Sequence, residues 1–196
     1  MGMKVVIDPG HAGRNIDPGA VNKISGLQEA DTTLMLSKLL ENYLSETGYE
    51  VKMTRNDWEE GETDDLSYRT ALANSWGADI FISLHCNSAE NENAKGYEIW
   101  TSPDDTLGDR LATCIYGEIT EEFPDMPGRA DCSDGDPDKE SGFYVLIHTK
   151  APACLIEMAF ISNAEEASLL ADVEWQERYA RAIARGVNNY FSSLEG

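Results

Sequence analysis

Two histidines and two glutamates stand in four short segments with the chemistry of a zinc hydrolase. His11 lies in VVIDPGHAG, Glu29 in GLQEADTTLML, His85 in DIFISLHCNSA and Glu157 in ACLIEMAFISN. Each histidine follows an apolar, β-branched run, so each emerges where a strand stops and the backbone turns. In open α/β sheets, ligand sites gather at the carboxyl ends of strands. Two histidines and one carboxylate match the donor set of a catalytic zinc site that keeps one position open to water. Such a centre acidifies water and polarises a carbonyl, and a spare glutamate can carry the proton to a leaving amine. The chemistry this allows is amide hydrolysis.

The four residues differ in how far each speaks alone. His11 sits between a Pro-Gly turn and Ala12-Gly13, and on position it is equally well a surface loop histidine. His85 ends a strongly apolar strand, where a packed, hydrogen-bonded histidine is the commoner case. Glu29 begins a helix, where the dipole favours a carboxylate in any event. Glu157 interrupts the apolar run Leu155 to Phe160, and a carboxylate is rarely buried without a partner. His148, the third of three histidines, follows Tyr144 to Ile147 and offers a rival three-histidine ligand set that would leave Glu29 to the helix. The HExxH pattern of one metalloprotease class is absent.

The elements that must position these residues alternate between short β-rich runs and longer helical ones. That pattern predicts an α/β fold with a mostly parallel twisted sheet flanked by helices on both faces. Strands are expected at Val5 to Ile7, Tyr49 to Thr54, Ile80 to Leu84, Tyr97 to Trp100 and Cys154 to Met158. Helices are expected from Glu29 to about Leu44, from Leu66 to Trp76 and along Leu107, Leu111, Ile115 and Ile119. Asn163 with Glu166 resembles a capping box. Trp175, Tyr179, Ile183, Val187 and Phe191 recur every four residues as an amphipathic final helix. Residues 124 to 142, rich in Gly, Pro and Asp, read as one long irregular loop.

The chain has 196 residues, 41% of them hydrophobic, which suits one catalytic domain spanning residues 1–196. Its net charge is −21, from 15 basic and 36 acidic residues. So acidic a surface argues against nucleic acid, which is bound through basic patches, and against an anionic membrane. No run is long enough for membrane insertion. The four cysteines form no CxxC pair, and Cys114 and Cys154 read as buried free thiols. The N-terminus enters a strand without a hydrophobic signal core.

Together, in this order and over nearly the whole chain, the four segments resemble the zinc-dependent N-acetylmuramoyl-L-alanine amidases of the type 3 family, found in bacterial autolysins and phage endolysins. IDPGHAG resembles the opening zinc-histidine motif and LQEAD the segment of the glutamate ligand. LSYRTALANSWGADIFISLHCNSA, with Arg69 and Asn74, resembles the run into the second histidine, and APACLIEMAFISNAEE the closing catalytic-glutamate motif. The resemblance implies one zinc per chain on His11, Glu29 and His85, with Glu157 as general base and acid. It makes His148, and Asn87 in the second-histidine motif, substrate contacts. The implied substrate is peptidoglycan, cut between N-acetylmuramic acid and L-alanine at the cell wall by a protein that is secreted or released as a lysin. A wall-anchoring domain could lie outside this chain.

Alternatives are another zinc amidohydrolase or peptidase, and a non-catalytic wall-binding module. The acidic surface would repel anionic wall polymers, so wall affinity should improve with moderate salt. Asp8, Ser83 and Asn87 are candidates to orient the ligands. Trp58, Tyr97, Trp100 and Tyr144 could wall the substrate site, although core or rim positions suit each better. Two departures from the family stand out. Ile147 occupies a position where many relatives carry arginine. The loop 125–140 is long and holds Asp131, Asp134, Asp136 and Asp138, a hint of calcium whose spacing does not fit an EF-hand.

Overall fold

The computed structural model describes residues 2–13, 16–57, 65–103 and 106–195. Six strands and six helices follow in the order β1 (Lys4–Pro9), α1 (Glu29–Glu46), β2 (Glu50–Met53), α2 (Leu66–Trp76), β3 (Ile80–Asn87), β4 (Glu98–Thr101), α3 (Leu107–Glu122), β5 (Lys139–Glu140), α4 (Tyr144–His148), β6 (Ala153–Phe160), α5 (Ala164–Leu170) and α6 (Val173–Leu194). The sheet runs β2-β1-β3-β6-β4-β5. Every neighbouring pair is parallel except β4 with β6. The expected α/β fold with a mostly parallel sheet is the fold observed.

Strand side chains alternate between two faces, and each face has its own apolar cluster. Val5, Ile7, Ile80, Ile82, Cys154 and Ile156 pack with Leu36, Leu40, Leu111, Ile115, Ile183 and Val187 of α1, α3 and α6. Val6, Phe81, Ala153 and Leu155 pack with Ala73 of α2 and with Val145 and Leu146 of α4. Burying a leucine of this kind contributes about 2 kcal/mol. The parity has a consequence for the site. His85 follows Phe81 by four residues and Glu157 follows Leu155 by two, so both belong to the α2–α4 side.

The stripe Trp175, Tyr179, Ile183, Val187 and Phe191 is buried throughout α6. Asp172 caps that helix through the Trp175 N–H at 2.8 Å, an interaction that contributes about 1 kcal/mol. Asn163 caps α5 as expected, its Oδ1 accepting from the N–H groups of Glu165 and Glu166. The reciprocal half of a capping box is missing there, because the Glu166 carboxylate accepts instead from Gly96 and Phe160. The box forms at α3, between Thr106 and Asp109.

Other expectations need correction. Within the region read as irregular loop, Lys139–Glu140 pair with Trp100–Thr101 as the short edge strand β5, a tertiary pairing without local periodicity. Tyr97, by contrast, takes the core position that suited it better, fully buried with its hydroxyl 2.6 Å from Thr120 Oγ1. Cys154 is buried, whereas Cys114 is only half-buried on the flank of α3. Trp58 lies outside the described residues.

Candidate active site

The turn after β1 brings His11 into place by an uncommon backbone. His11 has φ 65°, the only non-glycine residue in the left-handed region among those described, a conformation that costs of order 1 kcal/mol. Two buried guanidinium groups hold this turn from behind. Arg55 donates to the carbonyls of Pro9 at 3.1 Å and Gly10 at 2.9 Å. Arg69 donates to the carbonyls of Pro9 at 2.7 Å and His11 at 2.6 Å. Asp8 accepts from Arg69 at 2.6 Å, Ser83 at 2.7 Å and Thr54 at 2.6 Å. Asp8 and Ser83, read as orienters of the ligands, therefore act one step further back, by fixing the arginine that fixes the turn.

At the end of this turn the structure brings His11, Glu29 and His85 together, one ligand atom from each lying within 4.8 Å of the others. Glu29 stands between the rings, its Oε2 3.1 Å from His11 Nε2 and its Oε1 3.0 Å from His85 Nδ1. The same carboxylate accepts the N–H of Ala20 at 2.9 Å and that of Cys86 at 2.9 Å. Although Glu29 begins a helix, its carboxylate therefore serves the site. Among the described residues no other three-residue cluster of this kind forms, so His148 and the acidic loop supply no ligands to such a group.

Two glycines leave room for the rings. A Cβ on Gly10 would lie 2.4 Å from the His85 ring, and one on Gly19 would lie 2.6 Å from the His11 ring and 2.7 Å from Glu29 Oε2. Neither position accepts a side chain unless a ligand moves. Asp17, unassigned from sequence, holds the far nitrogen of His11, with Oδ2 2.7 Å from Nδ1. Its only signal was that Asp17-Pro18-Gly19 repeats Asp8-Pro9-Gly10.

Glu157 lines the same cavity of about 550 Å³, together with Asn87, Phe143, Tyr144 and Leu66. It is in register with His85 on one side and with Glu98 on the other. Its Oε2 is buried and has no hydrogen-bond partner. Burial pushes its carboxyl up to about 7, with Glu29 and Glu98 adding to the rise and His85 and His11 opposing it. Burial opposes ionisation of Glu29 too, but the two histidines hold it well below the usual carboxylate range. Burial disfavours charge on His11, yet Glu29 and Asp17 push it up to about 9. A buried carboxylate kept between two rings is the electrostatic signature of a cation site.

Asn87 donates to Glu98 at 3.1 Å, and Glu98 also takes Arg129 at 2.6 Å and Lys139 at 3.0 Å. Glu98 was missed because its partners come from three distant segments. Tyr144 lines the cavity, while His148 is exposed at the end of α4, its ring tilted by 37° against that of Tyr144 with centroids 4.0 Å apart. Trp100 stands beside Phe143 at a ring distance of 5.5 Å.

Fold and site define an α/β protein with a His-Glu-His cluster able to hold one metal ion, beside a buried carboxylate with one oxygen unpartnered at the strand ends. The sequence pattern of the N-acetylmuramoyl-L-alanine amidases matches residues 5–189, and the chain belongs to that family. It is 33% identical to the N-acetylmuramoyl-L-alanine amidase CwlM of Bacillus licheniformis, over 97% of this chain and 69% of that one. The structure of an N-acetylmuramoyl-L-alanine amidase from Clostridium difficile 630 superposes with a TM-score of 0.88 at 32% identity, covering 98% of each chain. That of the amidase AmiC2 of Nostoc punctiforme gives 0.85 at 30% identity, covering 97% of each.

Proposed function

We propose that this chain is one catalytic unit that hydrolyses the amide between N-acetylmuramic acid and the L-alanine of the peptidoglycan stem, with one zinc ion held by His11, Glu29 and His85. The observation that carries this reading is Glu157 Oε2, buried and without a partner in the wall of the cavity that contains the cluster. A buried carboxylate left so is a cost to folding, and a pure binding module would have no use for it. The donor set, two imidazoles and one carboxylate, suits zinc in a catalytic site, and Gly10 and Gly19 leave the ligand side chains room to converge.

When bound there, zinc lowers the pKa of water towards about 7 and polarises the scissile carbonyl. Glu157 takes a proton from the attacking water and returns it to the amine nitrogen as the C–N bond breaks. Glu29 is kept ionised by its histidines and by two backbone N–H groups. Asn87, in the cavity wall, and His148, whose ring lies against that of the cavity residue Tyr144, contact the substrate. The reaction is performed at the cell wall.

The test is mass spectrometry of purified peptidoglycan digested by zinc-loaded protein beside a chelated control. Stem peptides beginning with L-alanine, and glycan strands with intact lactyl groups, are expected. Cuts inside the stem would discard the specificity, and the lack of any metal-dependent cut would discard the activity.

A further inference from the structure

A second cavity, of about 610 Å³, adjoins the catalytic one and shares Ser88 with it. Two chain segments wall both. Ala20 lines the catalytic cavity and gives its N–H to Glu29, while the next residues, Val21 to Ile24, form one wall of the second cleft. Asn87 lines the catalytic cavity, while Ser88 to Glu90 form the opposite wall. The groove thus leads away from the ligand cluster between two strips of backbone. It is built before any ligand arrives. Asn22, itself buried, accepts from the N–H groups of Ile24 and Ser25 and donates to the Ile161 carbonyl at 2.8 Å. Ser162 accepts the Ala89 N–H at 3.0 Å, and Asn163 donates to the Glu92 carbonyl at 2.8 Å. Such preorganisation lowers the ordering cost of binding.

The two cavities differ in chemistry. The catalytic one carries the exposed rings of Phe143 and Tyr144 on its α4 side, and aromatic faces suit the apolar C–H faces of sugar rings. Among the described residues, no aromatic side chain lines the second cleft. Its lip is aliphatic, with Ile24 84% exposed and Val21 44% exposed. It is also charged with both signs, through Lys23 and Lys95 and through Glu90, Glu92 and Glu165. Lys95 pairs with Glu165, and Lys23 lies 3.8 Å from Glu92. Carboxylates, an amine and small aliphatic side chains recur along a stem peptide, whereas on a glycan strand the lactyl group of muramic acid is alone in carrying a carboxyl and no amine is present.

We infer that the cleft between Val21–Ile24 and Ser88–Glu90 is the subsite for the stem peptide beyond L-alanine, and that the glycan leaves the catalytic cavity over Phe143 and Tyr144. This rests on the amidase reading of the catalytic cavity. The experiment titrates free L-alanyl-γ-D-glutamyl-diamino-acid tripeptide, and separately a chitin oligomer, into the ¹⁵N-labelled Glu157→Gln full chain. Peptide should shift the amide signals of Val21, Ile24, Ser88 and Lys95, and the oligomer those of Phe143 and Tyr144. Peptide shifts confined to Phe143 and Tyr144, or none in the cleft at millimolar peptide, overturn the assignment.

A kinetic arm uses Ala164→Trp, which fills the cleft from the exposed start of α5, and Lys95→Glu, which reverses a charge at its mouth. In the unaltered protein, lengthening a muramoyl dipeptide to the tripeptide should raise kcat/KM about tenfold. Both variants should reduce that gain to about twofold or less. An equal gain in all three proteins overturns the assignment. If the zinc-loaded protein cuts neither substrate, the amidase reading fails, and the titration still decides what the cleft binds.

Discussion

Asp17 Oδ2 lies 2.7 Å from Nδ1 of His11, on the far side of the ring from Glu29. The other oxygen of Asp17 accepts the Gly19 N–H at 3.1 Å, so the carboxylate is fixed by the same turn that leaves room for the ring. Such a contact sets the tautomer and angle of a ligand histidine. Replacing Asp17 with Ala should weaken zinc binding by about 10–100-fold, read by competition against a chromogenic chelator. Unchanged affinity would show that Asp17 is only a turn residue.

Glu157→Gln keeps the shape of the side chain and removes its proton transfer. Turnover should fall by about 10²–10⁴-fold, measured as release of stem peptides, while zinc affinity stays within about twofold. The melting temperature should not drop, because the carboxylate being removed is buried with one oxygen unpaired. A variant that unfolds earlier would assign Glu157 to the fold.

Asp8 and Arg69 form an ion pair at 2.6 Å with side chains only 1% and 2% exposed. Burial opposes charge on Asp8, and Arg69 together with the Thr54 and Ser83 hydroxyls holds its carboxyl below the usual value. Arg69→Met would leave that carboxylate uncompensated, at a cost of about 3–5 kcal/mol. It would also strip donors from the Pro9 and His11 carbonyls. Urea unfolding should register the loss, and zinc affinity should fall with it. A loss below about 1 kcal/mol would mean that Asp8 finds other partners.

Asp138 is 2% exposed, and burial, aided by Asp136 and Asp109 against the Thr101 hydroxyl, pushes it up to about 7. Because the folded value exceeds the unfolded one, the folded chain holds a proton that the unfolded chain releases as pH rises from about 4 to about 7. Stability from this group is therefore full at low pH and is lost on passing through neutrality. Asp138→Asn should flatten that fall and stabilise the protein at pH 8 by on the order of 2 kcal/mol. Parallel melting curves for the two proteins from pH 5 to pH 8 would contradict it.

The sequence by itself determined most of the elements, though not β5 or α4, and much of the candidate site. Period-two and period-four patterns located the core strands and α6 because burial on one face is a local property of a segment. The same reasoning set His11 and His85 at strand ends and marked Glu157 as a charge within an apolar run. What only the tertiary structure decided were the contacts between segments. Placing β6 beside β3 puts Glu157 in register with His85, and the antiparallel β4 brings Glu98 to its other side. Glu29, rather than His148, meets the two histidines because its carboxylate, at the start of α1, accepts the N–H of Ala20 from the preceding segment and that of Cys86 from β3. Asp17 and Arg55 escaped notice for the same reason, and Arg69 was named only as part of the second-histidine motif, without its hold on the turn. Periodicity records which face a residue buries, while strand order and loop closure follow from packing between distant segments, and no local spacing encodes them.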